Sequence, residues 1–263
     1  MLACLLTNSK NWWKAKRRFH GEPAPDAAIV GIVMQATKSA GRNGMDSQVS
    51  TIVFDLDGTL LDGDSTSIWM LNRIKRSAWR TFLAVAVSPL ALPLTLYVRS
   101  RRIGGSVFLW IASAGLSETE LRSSFAEFAS KVGAGIGVAW RPDGIAEIEK
   151  CVARGETALI ATAAPTWLAE SLSENSLFDV PVVGSSISRV LGGWVAHHHC
   201  RHQAKCDAIS RAGYGERWAV AYSDSADDGP LLAQAASAFL VNASGQTAKR
   251  LARLGINVKR IVW

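Results

Sequence analysis

The chain has 263 residues, 48% of them hydrophobic and 19% charged. That composition excludes a disordered chain, and the length is that of one large domain or a core with a small insert. Four scattered cysteines (Cys4, Cys151, Cys200, Cys206) form no CxxC pair, which argues against a disulfide scaffold and fits a reducing compartment. The net charge of +7 is unevenly spread: residues before Met45 carry seven Lys/Arg against two Asp/Glu, and Ser65 to Ser117 has basic residues and no acid. The remainder is net acidic, so this is not a general nucleic-acid-binding surface.

Residues 1–48 read as an N-terminal extension. The run Asn11-Trp12-Trp13-Lys14-Ala15-Lys16-Arg17-Arg18 is not a secretory signal, because its charges follow a short apolar start and no long apolar stretch comes next. Ala27 to Met34 is apolar but too short to span a bilayer. Two readings stand: a basic, membrane-touching arm, or an overlong start in which Met45 begins the working protein.

Ser50-Thr51-Ile52-Val53-Phe54 predicts a buried strand that runs into Asp55-Leu56-Asp57-Gly58-Thr59-Leu60-Leu61-Asp62. Further strands are expected at Thr157–Ala161, ending at Thr162, at Trp218–Tyr222, ending at Asp224, and at Ala238–Asn242. Helical patterns lie between them at Ile145–Ala153, Thr166–Ser173, Gln203–Ala212, Pro230–Ala236 and Gln246–Leu254. This alternation predicts an α/β protein with a Rossmann-like parallel sheet covered on both faces. Residues 49–63 and 144–263 form the expected core, with the active site beyond the carboxyl ends of the strands. Residues 64–143 interrupt the alternation and read as an inserted helical cap, apolar and basic, with helical periodicity from Leu116 to Lys131.

Asp55 and Asp57 stand two residues apart at a strand end, so their carboxylates can converge on one small volume. Carboxylates that close repel unless a cation or a proton lies between them. A hard divalent ion with oxygen ligands, Mg²⁺, is the economical answer. Gly58 permits a tight turn and Thr59 can cap the segment after it. The chemistry points to a carboxylate nucleophile that forms an aspartyl-phosphate, with a neighbouring acid/base.

The hexamer Asp55-Leu56-Asp57-Gly58-Thr59-Leu60 resembles the first motif of the haloacid dehalogenase-like (HAD) phosphohydrolases. The other motifs of that family come in order: Thr162 after its strand, Lys205, and Tyr222-Ser223-Asp224-Ser225-Ala226-Asp227-Asp228. The resemblance implies that Asp55 is the nucleophile and that Asp57 protonates the leaving oxygen and later activates water. It implies that Thr162, Ala163 and Lys205 bind phosphate. Mg²⁺ would be held by Asp55, the backbone carbonyl of Asp57 and Asp224, with Asp228 ligating through water or orienting Lys205. Two positions depart from the pattern: Ala163 and His202 stand where glycine is usual.

A narrower resemblance, to the phosphatidylglycerophosphatase group of subfamily IB, rests on Val107-Phe108-Leu109-Trp110, Gly192-Gly193-Trp194-Val195, and Tyr222-Ser223-Asp224-Ser225 followed by Gly229-Pro230-Leu231-Leu232. It implies a Mg²⁺-dependent phosphatase that converts phosphatidylglycerophosphate to phosphatidylglycerol. Its partners would be a phospholipid substrate and an anionic membrane surface, with no nucleic acid.

Phe82 to Val98 is seventeen residues without a charge, at the lower edge of a transmembrane span, and contains Pro89 and Pro93. Arg73, Lys75, Arg76 and Arg80 precede it, and Arg99, Arg101 and Arg102 come after it. Asp55 lies before the run, while Thr162, Lys205 and Asp224 lie after it. One crossing would divide the site between two compartments, so a kinked re-entrant or interfacial hairpin is expected. Basic flanks on both sides fit a cytoplasmic face, so the expected location is the inner membrane with the site on its cytoplasmic side. The plainer alternative is that the run packs inside the cap. Trp69, Trp79 and Trp110 are either packing residues or headgroup anchors. His197-His198-His199-Cys200 fits no standard zinc spacing and reads as a polar connection or as imidazoles beside a substrate entrance. Two rival functions remain: a soluble phosphoserine-type phosphatase, and a membrane-binding protein with a vestigial site.

Overall fold

The computed structural model describes residues 51–96, 101–176 and 180–263. The expectations for residues 1–50, for Tyr97 and Val98 at the end of the apolar run, and for Arg99 in its flank lie outside the described residues.

Among the described residues, seven strands form one sheet in the order β4-β3-β2-β1-β5-β6-β7. The strands are β1 (Thr51–Phe54), β2 (Thr157–Pro165), β3 (Val182–Val190), β4 (Gly193–His198), β5 (Trp218–Ser223), β6 (Ala235–Val241) and β7 (Lys259–Ile261). Every pairing is parallel except β3 with β4, an antiparallel hairpin at one edge. The architecture is the α/β, Rossmann-like one that the alternation of strands and helices predicts.

β1 is buried at every position because it is the central strand with cover on both faces. Its alternate residues feed two cores: Ile52 and Phe54 face one, and Val53 faces the other with Leu159, Ile209 and Leu240. The chain leaves β1 into the cap helices α1 (Ser65–Lys75), α2 (Ala78–Leu96), α3 (Arg101–Ser113) and α4 (Glu118–Ala129). The Ile52–Phe54 core is continuous with the cap through Trp69, Leu109, Leu121 and Phe125. A capping box starts α4, with Ser117 and Glu120 satisfying each other's backbone N–H groups.

The remaining helices are α5 (Pro142–Ala153), α6 (Thr166–Asn175), α7 (Gln203–Arg211), α8 (Gly229–Ala233) and α9 (Gly245–Arg253), with a short 3₁₀ turn at Ala226–Asp228. Several features differ from the sequence expectation, the unexpected edge strand β7 among them. β2 continues past Thr162 to Pro165, with a register irregularity between Ala161 and Pro165. The helix expected at Pro230–Ala236 stops at Ala233, because Ala235 onward pairs with β5. The β3–β4 hairpin was not expected, because edge strands with one exposed face lack the continuous apolar run of a central strand.

The uncharged run lies mostly in α2, which contains Pro89 and Pro93 and packs on α3. No single described helix is long and apolar enough to cross a membrane; α1 and α2 together form an apolar pair bent by 119°. Trp69 is a core residue stacked near Phe125, not a surface anchor. Trp110 packs against β4, and Trp79 is half exposed.

Candidate active site

The register of the sheet assembles the site. Phe54 pairs with Ile160 on β2 and with Tyr222 on β5, so Asp55, Thr162 and Asp224 emerge at one edge from three adjacent parallel strands. Asp55 is the first residue beyond β1, and its N–H donates to the Tyr222 carbonyl at 2.9 Å. This edge lies where the strand order turns from β2 to β5 about β1, the place where open α/β sheets bind ligands.

Lys205 projects from the first turn of α7 and is only 2% exposed. Its Nζ donates to Asp55 Oδ1 at 2.7 Å and to Asp228 Oδ2 at 2.8 Å. A lone buried ammonium would be expensive, and two carboxylates offset that cost and hold it charged. They raise its pKa despite the opposing effect of burial. Asp228 Oδ2 also accepts from Ser223 Oγ at 2.8 Å. Ser223 in turn accepts from the Ser225 N–H at 3.1 Å, so β5 and the following loop fix Asp228 in place.

Asp57 belongs to a different environment. Its Oδ1 accepts from the Ser65 N–H at 2.8 Å, at the start of α1. Burial, then repulsion from Asp64, pushes its carboxyl up to about 8, against the pull of the Ser65 contacts. A carboxyl in that range holds its proton near neutral pH, as a general acid requires. Burial also raises the Asp55 pKa, against the pull of Lys205. Asp224 is raised by burial and by Asp228.

Gly58 sits at φ +81° in the turn after Asp57, and a Cβ there would stand 2.3 Å from Asp224 Oδ2. The glycine therefore lets the Asp224 carboxylate lie against the Asp55–Asp57 loop. Among the described residues, no three His, Cys, Asp or Glu side chains form a closed cluster that would hold a metal alone. The donors at this edge are oxygens, and Asp55 and Asp224 repel each other. That set fits a small hard cation that uses one or two carboxylates and keeps several waters.

Thr162 is buried, and its Oγ1 accepts from the Ala164 N–H at 3.0 Å. Thr162, Ala163 and Lys205 line the same cavity as Asp55, Asp57, Asp224 and Asp228. The cavity has a volume of about 820 Å³. All the sequence-expected site residues therefore meet in one place. Sequence reading did not find Ser65, Ser223 or Arg201. Ser65 was detectable as the first helical residue after Asp64, whose side chain caps α1 by accepting from the Ser67 N–H. Arg201 lines the cavity and faces Asp227 at 3.9 Å. Of the histidine cluster, His199 lines the cavity, while His197 and His198 are exposed on β4.

A model of the haloacid dehalogenase-like hydrolases matches residues 52–233, well over half of the chain. The chain belongs to that family. No curated protein matches the sequence. Among solved structures, a protein of unknown function from Bordetella pertussis Tohama I is similar at a TM-score of 0.65 and 19% identity, over 81% of this chain and 99% of that one. A HAD family hydrolase from Salmonella enterica serovar Typhi is similar at a TM-score of 0.55 and 14% identity, over 81% of this chain and 67% of that one. A phosphoserine phosphatase solved as a phospho-aspartyl intermediate analogue is similar at a TM-score of 0.52 and 12% identity, over 81% and 92%. At these identities the likeness is one of fold, and the chain is a HAD hydrolase by its family match.

Proposed function

We propose that this HAD hydrolase is a Mg²⁺-dependent phosphatase that works through an aspartyl-phosphate. The observation that carries this reading is the buried pairing of Lys205 with Asp55, beside a second carboxyl, Asp57, that burial and Asp64 push up to about 8. A carboxylate placed by a fixed cation and a neighbouring acid/base carboxyl are the two groups that a double displacement at phosphorus needs. The fold relative captured as a phospho-aspartyl intermediate analogue supports the same chemistry.

Asp55 attacks phosphorus in line, and the bond from phosphorus to the leaving oxygen breaks. Asp57 gives that oxygen its proton. Asp57, now ionised, takes a proton from water, which attacks the aspartyl-phosphate and frees phosphate and Asp55. Thr162, the Ala163 backbone and Lys205 hold the phosphoryl oxygens, and Asp228 positions Lys205. Asp55, the Asp57 carbonyl and Asp224 would hold Mg²⁺, with Asp228 behind them, and the ion would supply charge neutralisation for the phosphoryl group and Asp55.

The substrate we propose is a lipid phosphomonoester, phosphatidylglycerophosphate first, taken at the cytoplasmic face of the inner membrane. The outward side of α2 supports this. Trp79, Phe82, Val85 and Leu90 are exposed there, Phe82 by 76% and Leu90 by 78%, with no charged residue among them. A helix on the surface of a water-soluble domain normally turns charge outward. Lys75, exposed at the end of α1, adds positive charge that suits an anionic lipid surface, while the neighbouring Arg76 pairs with Glu127 at 3.5 Å.

The test is phosphate release with Mg²⁺ from phosphatidylglycerophosphate and from phosphoserine in parallel, with Asp55→Asn as control. Preference for the lipid, lost in Asp55→Asn, is the expected result. Preference for phosphoserine would make the protein a small-metabolite phosphatase. No hydrolysis of either would leave a membrane-binding protein with a vestigial site.

A further inference from the structure

The cavity that holds the carboxylates is polar at one end and apolar at the other. Its apolar limb is lined by Leu71 and Ile74 from α1, Leu92 from α2, and Phe108 and Leu109 from α3. Along α1 the lining residues Asp64, Ser67, Leu71 and Ile74 recur at helical spacing, so polarity falls with distance from Asp57. Leu71 and Leu92 line this limb and are also 48% and 52% exposed. The apolar limb is therefore open to solvent at these two residues, and Leu92 shares its helix, α2, with the exposed Phe82, Val85 and Leu90.

A cap that swings away from its core would have no use for a side opening. Here the β3–β4 hairpin fastens the cap to the sheet. Trp110 Nε1–H donates to the Val190 carbonyl at 2.9 Å, and the Trp194 N–H donates to Ser113 Oγ at 2.9 Å. Trp194 Nε1–H donates to the Leu116 carbonyl at 3.0 Å, and the Gly115 N–H to the Gly192 carbonyl at 2.8 Å. Lifting the cap breaks all four bonds and exposes the core that cap and sheet share. A cavity of about 820 Å³ is the size of a small-ligand site, so long acyl chains must leave it by an opening.

We propose that Leu71 and Leu92 frame a lateral portal, through which an amphiphilic phosphomonoester reaches Asp55 while its apolar tail stays outside, in lipid. The proposal rests on the lipid reading of the site given above.

The test uses the full chain and two phosphomonoester probes with the same headgroup, one long-chain and one short-chain and monomeric. Each is assayed in anionic vesicles and in uncharged detergent micelles. Leu71→Arg and Leu92→Arg should each lower the ratio of kcat/KM for the long chain over the short chain by about tenfold, in micelles as well as in vesicles. Both positions are surface-exposed, and an unchanged melting temperature verifies folding. A loss confined to vesicles would make the two leucines part of a docking face alone and overturn the portal. An unchanged ratio would overturn it too, while leaving the phosphatase reading intact. A wild-type protein that hydrolyses only small soluble phosphomonoesters would remove the lipid reading and the portal with it.

Discussion

The indole of Trp110 lies close against Gly193: a Cβ added to that glycine would stand 2.6 Å from the ring. Trp110 is on α3 in the cap and Gly193 opens β4 on the sheet, so this contact is part of the joint between them. Gly193→Val should push the indole off the hairpin and break its bond to Val190. The expected loss is about 1–3 kcal/mol, read by chemical denaturation, together with a shift in tryptophan emission. Unchanged stability would mean that the hairpin does not fasten the cap.

Lys205 is the cation between two buried carboxylates. Lys205→Met removes the charge and leaves Asp55 and Asp228 facing an apolar chain. Phosphatase activity should fall by about a thousandfold. Stability should fall by about 3 kcal/mol, since one partner of a buried ion pair is lost. Asp228→Asn keeps an acceptor near Lys205, so its effect on kcat should be smaller. Steady-state kinetics and thermal denaturation of both variants check the order.

Gly58 makes room for Asp224. Gly58→Ala places a methyl group inside the contact distance of the Asp224 carboxylate, at a positive φ that alanine also resists. The Mg²⁺ concentration for half-maximal activity should rise by about tenfold to a hundredfold, and calorimetric titration should show the same weakening. Equal affinities would take Asp224 out of the ion's shell.

Asp57 ties stability to pH when no metal is bound. Its folded carboxyl titrates at about 8, against about 4 in an unfolded chain. Between those values the folded state binds a proton that the unfolded state does not, so stability must fall as pH rises through that window. In chelator, the melting temperature should drop from about pH 5 to about pH 8, and Asp57→Asn should make that drop smaller, with Asp55 and Asp224, also raised by burial, supplying the rest. A slope unchanged in Asp57→Asn would assign the proton to another group.

His202 adopts φ +50° and ψ −134° just ahead of α7, a conformation suited to glycine. His202→Gly should therefore raise stability by about 1 kcal/mol, strain relief exceeding the entropic cost of glycine. Thermal denaturation measures it, and a loss of stability would show that the imidazole holds the turn in place.

This histidine also marks what the sequence disclosed and what it did not. Asp55, Thr162 and Asp224 were legible because each is a polar residue at or near the end of an apolar strand, and parallel pairing brings such ends together. Lys205 was legible only through its family resemblance, since nothing local in α7 says that a lysine turns inward. The departure at His202 was visible as a residue type, but its backbone strain was not. The β3–β4 hairpin was hidden, because Gly184, Ser185, Ser186 and Ser188 break any apolar alternation. The segments Val107–Trp110 and Gly192–Val195 stood out separately in the sequence, and only the fold shows that Trp110 and Gly193 touch.

The placement of the cap between β1 and β2 has a consequence during synthesis. A ribosome delivers the chain from its N-terminus, so the apolar α2 emerges before β2, and long before Lys205 and Asp224. A nascent chain of that length has an oily helix with arginines ahead of it and only one strand of the sheet. The growing chain therefore meets its surroundings through α2 before it has an active site.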